Sequence, residues 1–135
     1  MESFLSLLRI QSVKRIVIAG GGFAGVELAQ RLRRKLAAGW EVVLYNRENH
    51  LCFSPLLPEV VGASLNPLHV VWSIREMVSG VLCRTVPVTR LDPEKREIEY
   101  HDGVGAVCRE RYEHLVLAVG LPVRLEIIGG MREYG

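Results

Sequence analysis

The run Gly20-Gly21-Gly22-Phe23-Ala24-Gly25 constrains this chain more than any other stretch of it. It is a G-x-G-x-x-G pattern placed between two segments of different periodicity. Before it, Arg15-Ile16-Val17-Ile18-Ala19 is a β-branched run of strand length that stops abruptly at the glycines. After it, from Phe23 to Ala38, the period turns helical. Gly25, Ala29, Leu32 and Leu36 share one face, Glu27 and Arg31 form an i,i+4 pair in the favourable order, and Gly39 offers a stop. Glu41 to Tyr45 then reads as a second buried strand, so the first 45 residues spell strand, turn, helix, strand, with a right-handed crossover expected.

Each glycine has a physical task in such a turn. Gly20 permits the tight exit from the strand, Gly22 lets a pyrophosphate approach the backbone, and Gly25 lets the helix pack closely on the sheet. The helix N-terminus adds unpaired N–H groups and a partial positive charge. We read the run as a dinucleotide site rather than a purely structural glycine turn, because strand, helix and second strand all stand at the expected distances. The second strand should end in an acid that accepts hydrogen bonds from the adenosine ribose. That position, 21 residues beyond Gly25, holds Asn46, followed by Arg47. Asn46 can bond a ribose hydroxyl without charge assistance. Arg47 either receives a 2′-phosphate, which points to NADP, or is a solvated loop cation.

Composition narrows the remaining choices. With 135 residues, 49% hydrophobic and 24% charged, the chain holds one globular domain and needs no staple to bury a core. A net charge of +2 is too even for a dedicated nucleic-acid binder. Cys52, Cys83 and Cys108 have no C-x-x-C spacing, which argues against a disulfide framework or zinc knuckle and for a reducing compartment, the cytoplasm. His50, His69, His101 and His114 likewise lack metal-site spacing. No apolar run approaches the roughly 20 residues that span a bilayer, and no signal-peptide cleavage site is visible. The basic cluster Arg31, Arg33, Arg34 and Lys35 reads as the solvated face of its helix.

Residues 1–14 read as a leader, with Phe4, Leu7 and Leu8 at helical spacing. It either rests on the domain of residues 15–135 or meets a membrane surface or partner. Beyond the polar loop Asn46 to His50, Cys52 to Pro67 carries Pro55, Pro58 and Pro67, which predicts short helical turns. Leu68 to Ser79 is expected to be helical. Val81 to Leu91, Glu97 to Tyr100 and Ala106 to Arg111 are expected strands of a β-meander, joined by turns at Asp92-Pro93-Glu94-Lys95 and His101-Asp102-Gly103. Leu115 to Val119 is a last strand, closed by Gly120.

Three stretches together carry a resemblance: Gly20 to Leu32 (GGGFAGVELAQRL), Asn49 to Val60 (NHLCFSPLLPEV) and Leu115 to Gly120 (LVLAVG). From residue 15 to about 132 the chain resembles the N-terminal FAD-binding part of type II NADH dehydrogenases, within the pyridine nucleotide-disulfide oxidoreductase superfamily. The F-x-P-L-L-P-E-V segment is the most discriminating, since the glycine pattern occurs in many dinucleotide folds. The resemblance implies an α/β, Rossmann-like FAD/NAD(P)-binding fold: a parallel sheet with a β-meander crossover in a ββα three-layer arrangement. It implies that Gly20, Gly22, Phe23, Ala24 and Gly25 contact the FAD pyrophosphate and that Asn46 and Arg47 border the ribose. Pro55 would lie near the isoalloxazine, Val88 would meet the adenine through its backbone, and Ala118-Val119-Gly120 would form a turn beneath the cofactor. Val119 lacks the hydroxyl that a threonine would supply there.

The implied chemistry is hydride transfer from NAD(P)H to flavin N5 and on to an acceptor such as a quinone. The flavin performs it, so no catalytic acid, base or nucleophile is assigned. Cys52 lies three residues before Pro55, in a loop comparable to that of the redox sulfur in CoA-disulfide reductases. Its surroundings do not match that family, and it reads as a small buried hydrophobe.

The resemblance also implies a second nucleotide module and a returning segment, neither of which the sequence contains, so the chain reads as truncated. Two functions follow. The chain is the FAD-binding portion of an NAD(P)H oxidoreductase, completed by a missing-half polypeptide, with membrane contact at most peripheral on the inner face. Alternatively it is a non-catalytic module binding NADP, NAD or FAD. In either case an unsatisfied sheet edge or face favours self-association. Light scattering with and without cofactor is expected to show oligomers, and a clean monomer at high concentration contradicts the expectation.

Overall fold

The computed structural model describes residues 13–121. Strand β1 (Lys14–Ala19) runs one residue earlier than its β-branched core suggests, and helix α1 (Phe23–Lys35) leads to β2 (Trp40–Asn46). The strands pair in parallel from Lys14 opposite Trp40 to Ala19 opposite Tyr45. Helix α1 stops at Lys35, short of the expected Ala38, because Leu36 is extended and its N–H bonds back to the Leu32 carbonyl. Gly39 is therefore no helix cap. It takes a left-handed turn (φ +89°) that lets the Lys14 N–H reach its carbonyl at 2.9 Å.

After β2 the chain forms β3 (His50–Cys52), a 3-10 turn at Ser54–Leu56, helix α2 (Leu57–Val61) and a second 3-10 turn at Pro67–His69. The prolines sit in the first turns of these short helices, where their missing N–H costs nothing. The expected helix from Leu68 to Ser79 does not form. Val71–Ser73 is strand β4, antiparallel to β3, and α-helix is confined to α3 (Ile74–Met77), beyond the 3-10 turn. The consecutive β-branched Val70 and Val71 followed by Trp72 favour a pleated hairpin that closes over Leu51.

The expected strand from Val81 to Leu91 is likewise two strands. Pro87 offers no ladder donor, so β5 (Leu82–Thr85) ends before it and joins the parallel sheet. Strand β6 (Val88–Asp92) opens a separate antiparallel sheet with β7 (Glu97–His101) and β8 (Val107–Arg111). Both meander turns fall where expected: Asp92 Oδ1 accepts the Lys95 amide at 3.0 Å, and Asp102 Oδ1 accepts those of Val104 and Ala106 at 3.0 and 2.8 Å. Strand β9 (His114–Leu117) returns beside β1, giving the parallel order β5-β2-β1-β9. It ends at Leu117, two residues before the expected limit.

Strand alternation divides the core between the two faces of this sheet. Ile18, Val42 and Leu44 pack with Val26 and Ala29 of α1 and with Ile74 and Val78. Val17, Val43 and Tyr45 meet Ile98 and Tyr100 of the meander. The result is three layers: helices, parallel sheet and meander.

Across the sheet–meander interface Glu110, with its side chain only 11% exposed, collects four partners. It accepts hydroxyl hydrogen bonds from Tyr45 at 2.7 Å and Tyr100 at 3.0 Å, and an Arg84 N–H at 3.0 Å; the Arg15 guanidinium lies at 3.8 Å. Burial by itself would raise the Glu110 pKa, but the two hydroxyls and two guanidinium groups outweigh it and hold the carboxyl below its ordinary value. Burial, then the bond to Glu110, pushes both tyrosines up, so they remain neutral donors.

A carboxyl depressed on folding contributes stability above its unfolded pKa of about 4.3, and that contribution is lost as pH falls through the folded value. Chemical denaturation should therefore show Glu110→Gln destabilised by about 2 kcal/mol at pH 7 and Glu110→Ala by about 3 kcal/mol. The deficit should shrink as pH falls through the depressed native pKa, below which the native carboxylate is itself protonated.

Candidate functional site

The carboxyl ends of β1, β2, β5 and β9 converge at one end of the sheet, the crevice where open α/β sheets bind ligands. The glycine run sits there. Gly20 has φ +115°, and a Cβ on it would collide with the Ala118 carbonyl. A Cβ on Gly25 would fall on the Gly20 carbonyl oxygen, so the helix packs against the turn itself with no room for a side chain. Gly22 differs: a Cβ there would meet nothing within 4 Å. Its backbone faces open space, as an approaching pyrophosphate requires.

Gly22 is also the N-cap of α1, and the first helical hydrogen bond runs from the Val26 N–H to its carbonyl at 3.0 Å. The amides of Phe23, Ala24 and Gly25 precede that bond, so no earlier turn of helix offers them an acceptor. No side chain caps the helix, and its first turn carries no acid to compete with an anion. This is the donor set that phosphate oxygens require.

Beside the cradle runs an open groove lined by Ala19, Gly20, Tyr45, Asn46, Arg47, Val86, Pro87, Val88 and Val119. It brings together Gly20, Asn46, Arg47, Val88 and Val119 from four separate stretches of chain. The break at Pro87 that splits β5 from β6 builds one wall, and that wall adds Val86 and Pro87, which the sequence reading did not name. Ala118 is tied to β1 by its N–H to the Ala19 carbonyl at 2.8 Å, Val119 is 72% exposed, and Gly120 turns with φ +65°.

Asn46 has a use the sequence did not suggest. Its Oδ1 accepts the Gly21 amide at 3.0 Å, and its Nδ2 donates to the Glu48 carbonyl at 2.9 Å. The side chain thus braces the glycine turn, with one lone pair and one N–H left to face a ribose. An aspartate could accept from Gly21 but could not donate to Glu48. Arg47 is exposed and has no ion-pair partner among the described residues.

Pro55 lies outside this groove, exposed in the 3-10 turn after Phe53. Phe53 packs edge-on against Phe23, ring centroids 5.5 Å apart, and against Trp72 at 6.4 Å. Cys52 is half-buried at the end of β3 with a free thiol. On α1, Arg31 pairs with Glu27 at 2.6 Å and Arg33 lies over Gly80. Among the described residues there is no His/Cys/Asp/Glu cluster suited to a metal, and no helix long and apolar enough to cross a membrane. The leader residues 1–12 lie outside the described part of the chain.

Comparisons with known proteins agree with this fold. The chain is 29% identical over 126 residues to the demethylphylloquinone reductase NdbB of Synechocystis, covering 90% of this chain and 31% of that protein. A type II NADH:quinone oxidoreductase of Staphylococcus haemolyticus is 24% identical, with 92% and 30% covered. The chain thus spans less than a third of the length of these relatives. Among solved structures, NDH2 of Plasmodium falciparum in complex with NADH superposes with a TM-score of 0.73 at 23% identity, over 90% of this chain and 25% of that one. The sulfide:quinone oxidoreductase of Aquifex aeolicus gives 0.72 at 19% identity, over 89% and 27%.

The glycines separate folding from binding. Gly22→Val should fold normally yet lose dinucleotide affinity, whereas Gly25→Ala should lose about 1–3 kcal/mol of stability through overpacking. Thermal melts beside cofactor titration check both, and retained binding in Gly22→Val contradicts the cradle. A sequence model described as pyridine nucleotide-disulphide oxidoreductase matches residues 14–135, and the chain belongs to that family.

Proposed function

We propose that this chain is the FAD-binding portion of an NAD(P)H oxidoreductase that passes reducing equivalents to an acceptor such as a quinone. The observation that carries the proposal is the free N–H set of Phe23, Ala24 and Gly25 opening beside the groove of Asn46, Arg47 and Val88. The relatives' names support the redox reading: a demethylphylloquinone reductase and a type II NADH:quinone oxidoreductase.

In this reading Gly20, Gly22, Phe23, Ala24 and Gly25 hold the pyrophosphate, Asn46 and Arg47 border the ribose, and Val88 meets the adenine. Ala118, Val119 and Gly120 support the cofactor from below, and Pro55 lies toward the isoalloxazine. When bound, the flavin supplies hydride acceptance and release, and the chain's residues hold and orient it. The nicotinamide donor requires a second module, contributed by further polypeptide in the same chain or another. A peripheral position on the inner face of a membrane suits delivery to a quinone.

A second reading, a non-catalytic NADP module, is favoured by one observation: an amide at Asn46 and a cation at Arg47 stand where an acid would repel a 2′-phosphate. The visible spectrum of the purified protein separates the two. A bound-flavin band is expected, retained through gel filtration; a colourless protein that binds NADP and not FAD overturns the flavin reading. Asn46→Asp should leave FAD binding within a few-fold but weaken any NADP binding by roughly tenfold or more, through repulsion of the phosphate.

A further inference from the structure

At the amino end of the sheet, away from the glycine turn, lies a second groove. It is open, about 570 Å³ in volume, and its apolar wall is made by Val13, Leu36 just past α1, Trp40 and Val42 of β2, and Val81 and Leu82 where β5 begins. Its two ionisable wall residues, Glu41 and Arg33, are already engaged. The Arg15 Nε donates to the Glu41 carboxylate at 2.7 Å, and the Arg33 guanidinium lies against Gly80. What the groove still offers is contact for apolar side chains.

Val13 decides which segment is at hand. It is the first described residue, and the chain is pinned directly after it: the Lys14 N–H donates to the Gly39 carbonyl at 2.9 Å, and the Lys14 ammonium stands 5.4 Å from the centre of the Trp40 ring. Residues 1–12 are thus tethered to the rim of this groove. The family match begins at residue 14, so the family domain assigns these residues no place. In them Phe4, Leu7 and Leu8 recur at helical spacing, with Glu2, Ser6 and Arg9 on the other side of that period. The described chain leaves β9 at the opposite, carboxyl end of the sheet, so polypeptide continuing from there starts at the other end of the domain.

We propose that Phe4, Leu7 and Leu8 dock in this groove against Trp40 and Leu82 of the same molecule, an intramolecular latch that covers the amino ends of β1, β2 and β5. The tether through Val13 makes the encounter unimolecular, at an effective concentration on the order of millimolar, so a modest apolar contact is enough to hold it. Of the two places open to the leader, the domain or a membrane surface or partner, the groove selects the domain. An indole moved from such a contact into water emits at longer wavelength and is quenched more readily by a small solute, so Trp40 reports the latch directly.

The test uses the full chain with Trp72→Phe, which leaves Trp40 as the one tryptophan. Adding Leu7→Asp and Leu8→Asp together should shift Trp40 emission to longer wavelength and raise its quenching by acrylamide. The folding equilibrium constant should fall by about tenfold, the worth of one apolar side chain largely returned to water. Ser6→Asp should change none of these. The groove side is tested with Leu82→Glu, in which the same leader substitutions should cost less than about twofold because their partner surface is already broken. Should Leu82→Glu lose the fold, Leu82→Ala supplies the coupling. Unchanged Trp40 emission and quenching in the leader variant overturns the latch, as does a leader effect of full size in the Leu82 variant. Trp40 protection that grows with protein concentration gives the groove to a second copy's leader, and leader-dependent binding to anionic vesicles with Trp40 uncovered in solution gives the leader to a membrane surface. Either result overturns the intramolecular latch.

Discussion

At the carboxyl end of β1, backbone meets backbone with no space for a side chain. A Cβ on Gly25 would strike the Gly20 carbonyl, a Cβ on Gly20 would strike that of Ala118, and the Gly20 N–H is bonded to the Tyr45 carbonyl at 2.8 Å. Helix α1 and strands β1, β2 and β9 are thereby brought to one point. The amides of Phe23 to Gly25 open the helix ahead of its first hydrogen bond, from Val26 to Gly22. Gly22 differs from the other two glycines, since its Cβ direction is empty.

The sheet that presents the cradle is buried on both faces, but the two faces are held differently. The helix side is apolar, built from Ile18, Val42, Leu44, Val26 and Ala29. The meander side adds a polar fastening in which Glu110 binds Tyr45, Tyr100 and Arg84 together. Hydrophobic contact is nondirectional, whereas a carboxylate with this many donors specifies one docking of the meander. Tyr45 links this fastening to the candidate site, since the same residue also lines the groove of Asn46, Arg47 and Val88. The meander that begins at Val88 is thus fastened to the sheet by a half-buried charge cluster.

Elements with strong local periodicity were legible without coordinates: β1, α1, β2, the meander and both of its turns. The misreadings came where local and tertiary preferences diverge. Leu68 to Ser79 has enough helix formers to suggest a helix, but its β-branched residues found a hairpin partner in residues 50–52. Val81 to Leu91 is uniformly strand-like except for Pro87, and that one missing donor sends the two halves to different sheets. At the candidate site, the glycine turn between strand and helix was legible from spacing alone. The bracing role of Asn46 could not, because its partner Gly21 lies 25 residues away in sequence.

What the sequence determined by itself was the strand, glycine turn and helix at the start of the domain, together with the family resemblance. Those features depend on residues within a turn or two of one another, where φ, ψ and side-chain period suffice. The tertiary structure alone decided which side chains gather around the cradle. Tyr45 and Glu110 are 65 residues apart, and Phe23, Phe53 and Trp72 come from a helix, a loop and a hairpin. Such contacts depend on how sheet, helix and meander pack, and no local spacing in the chain records that.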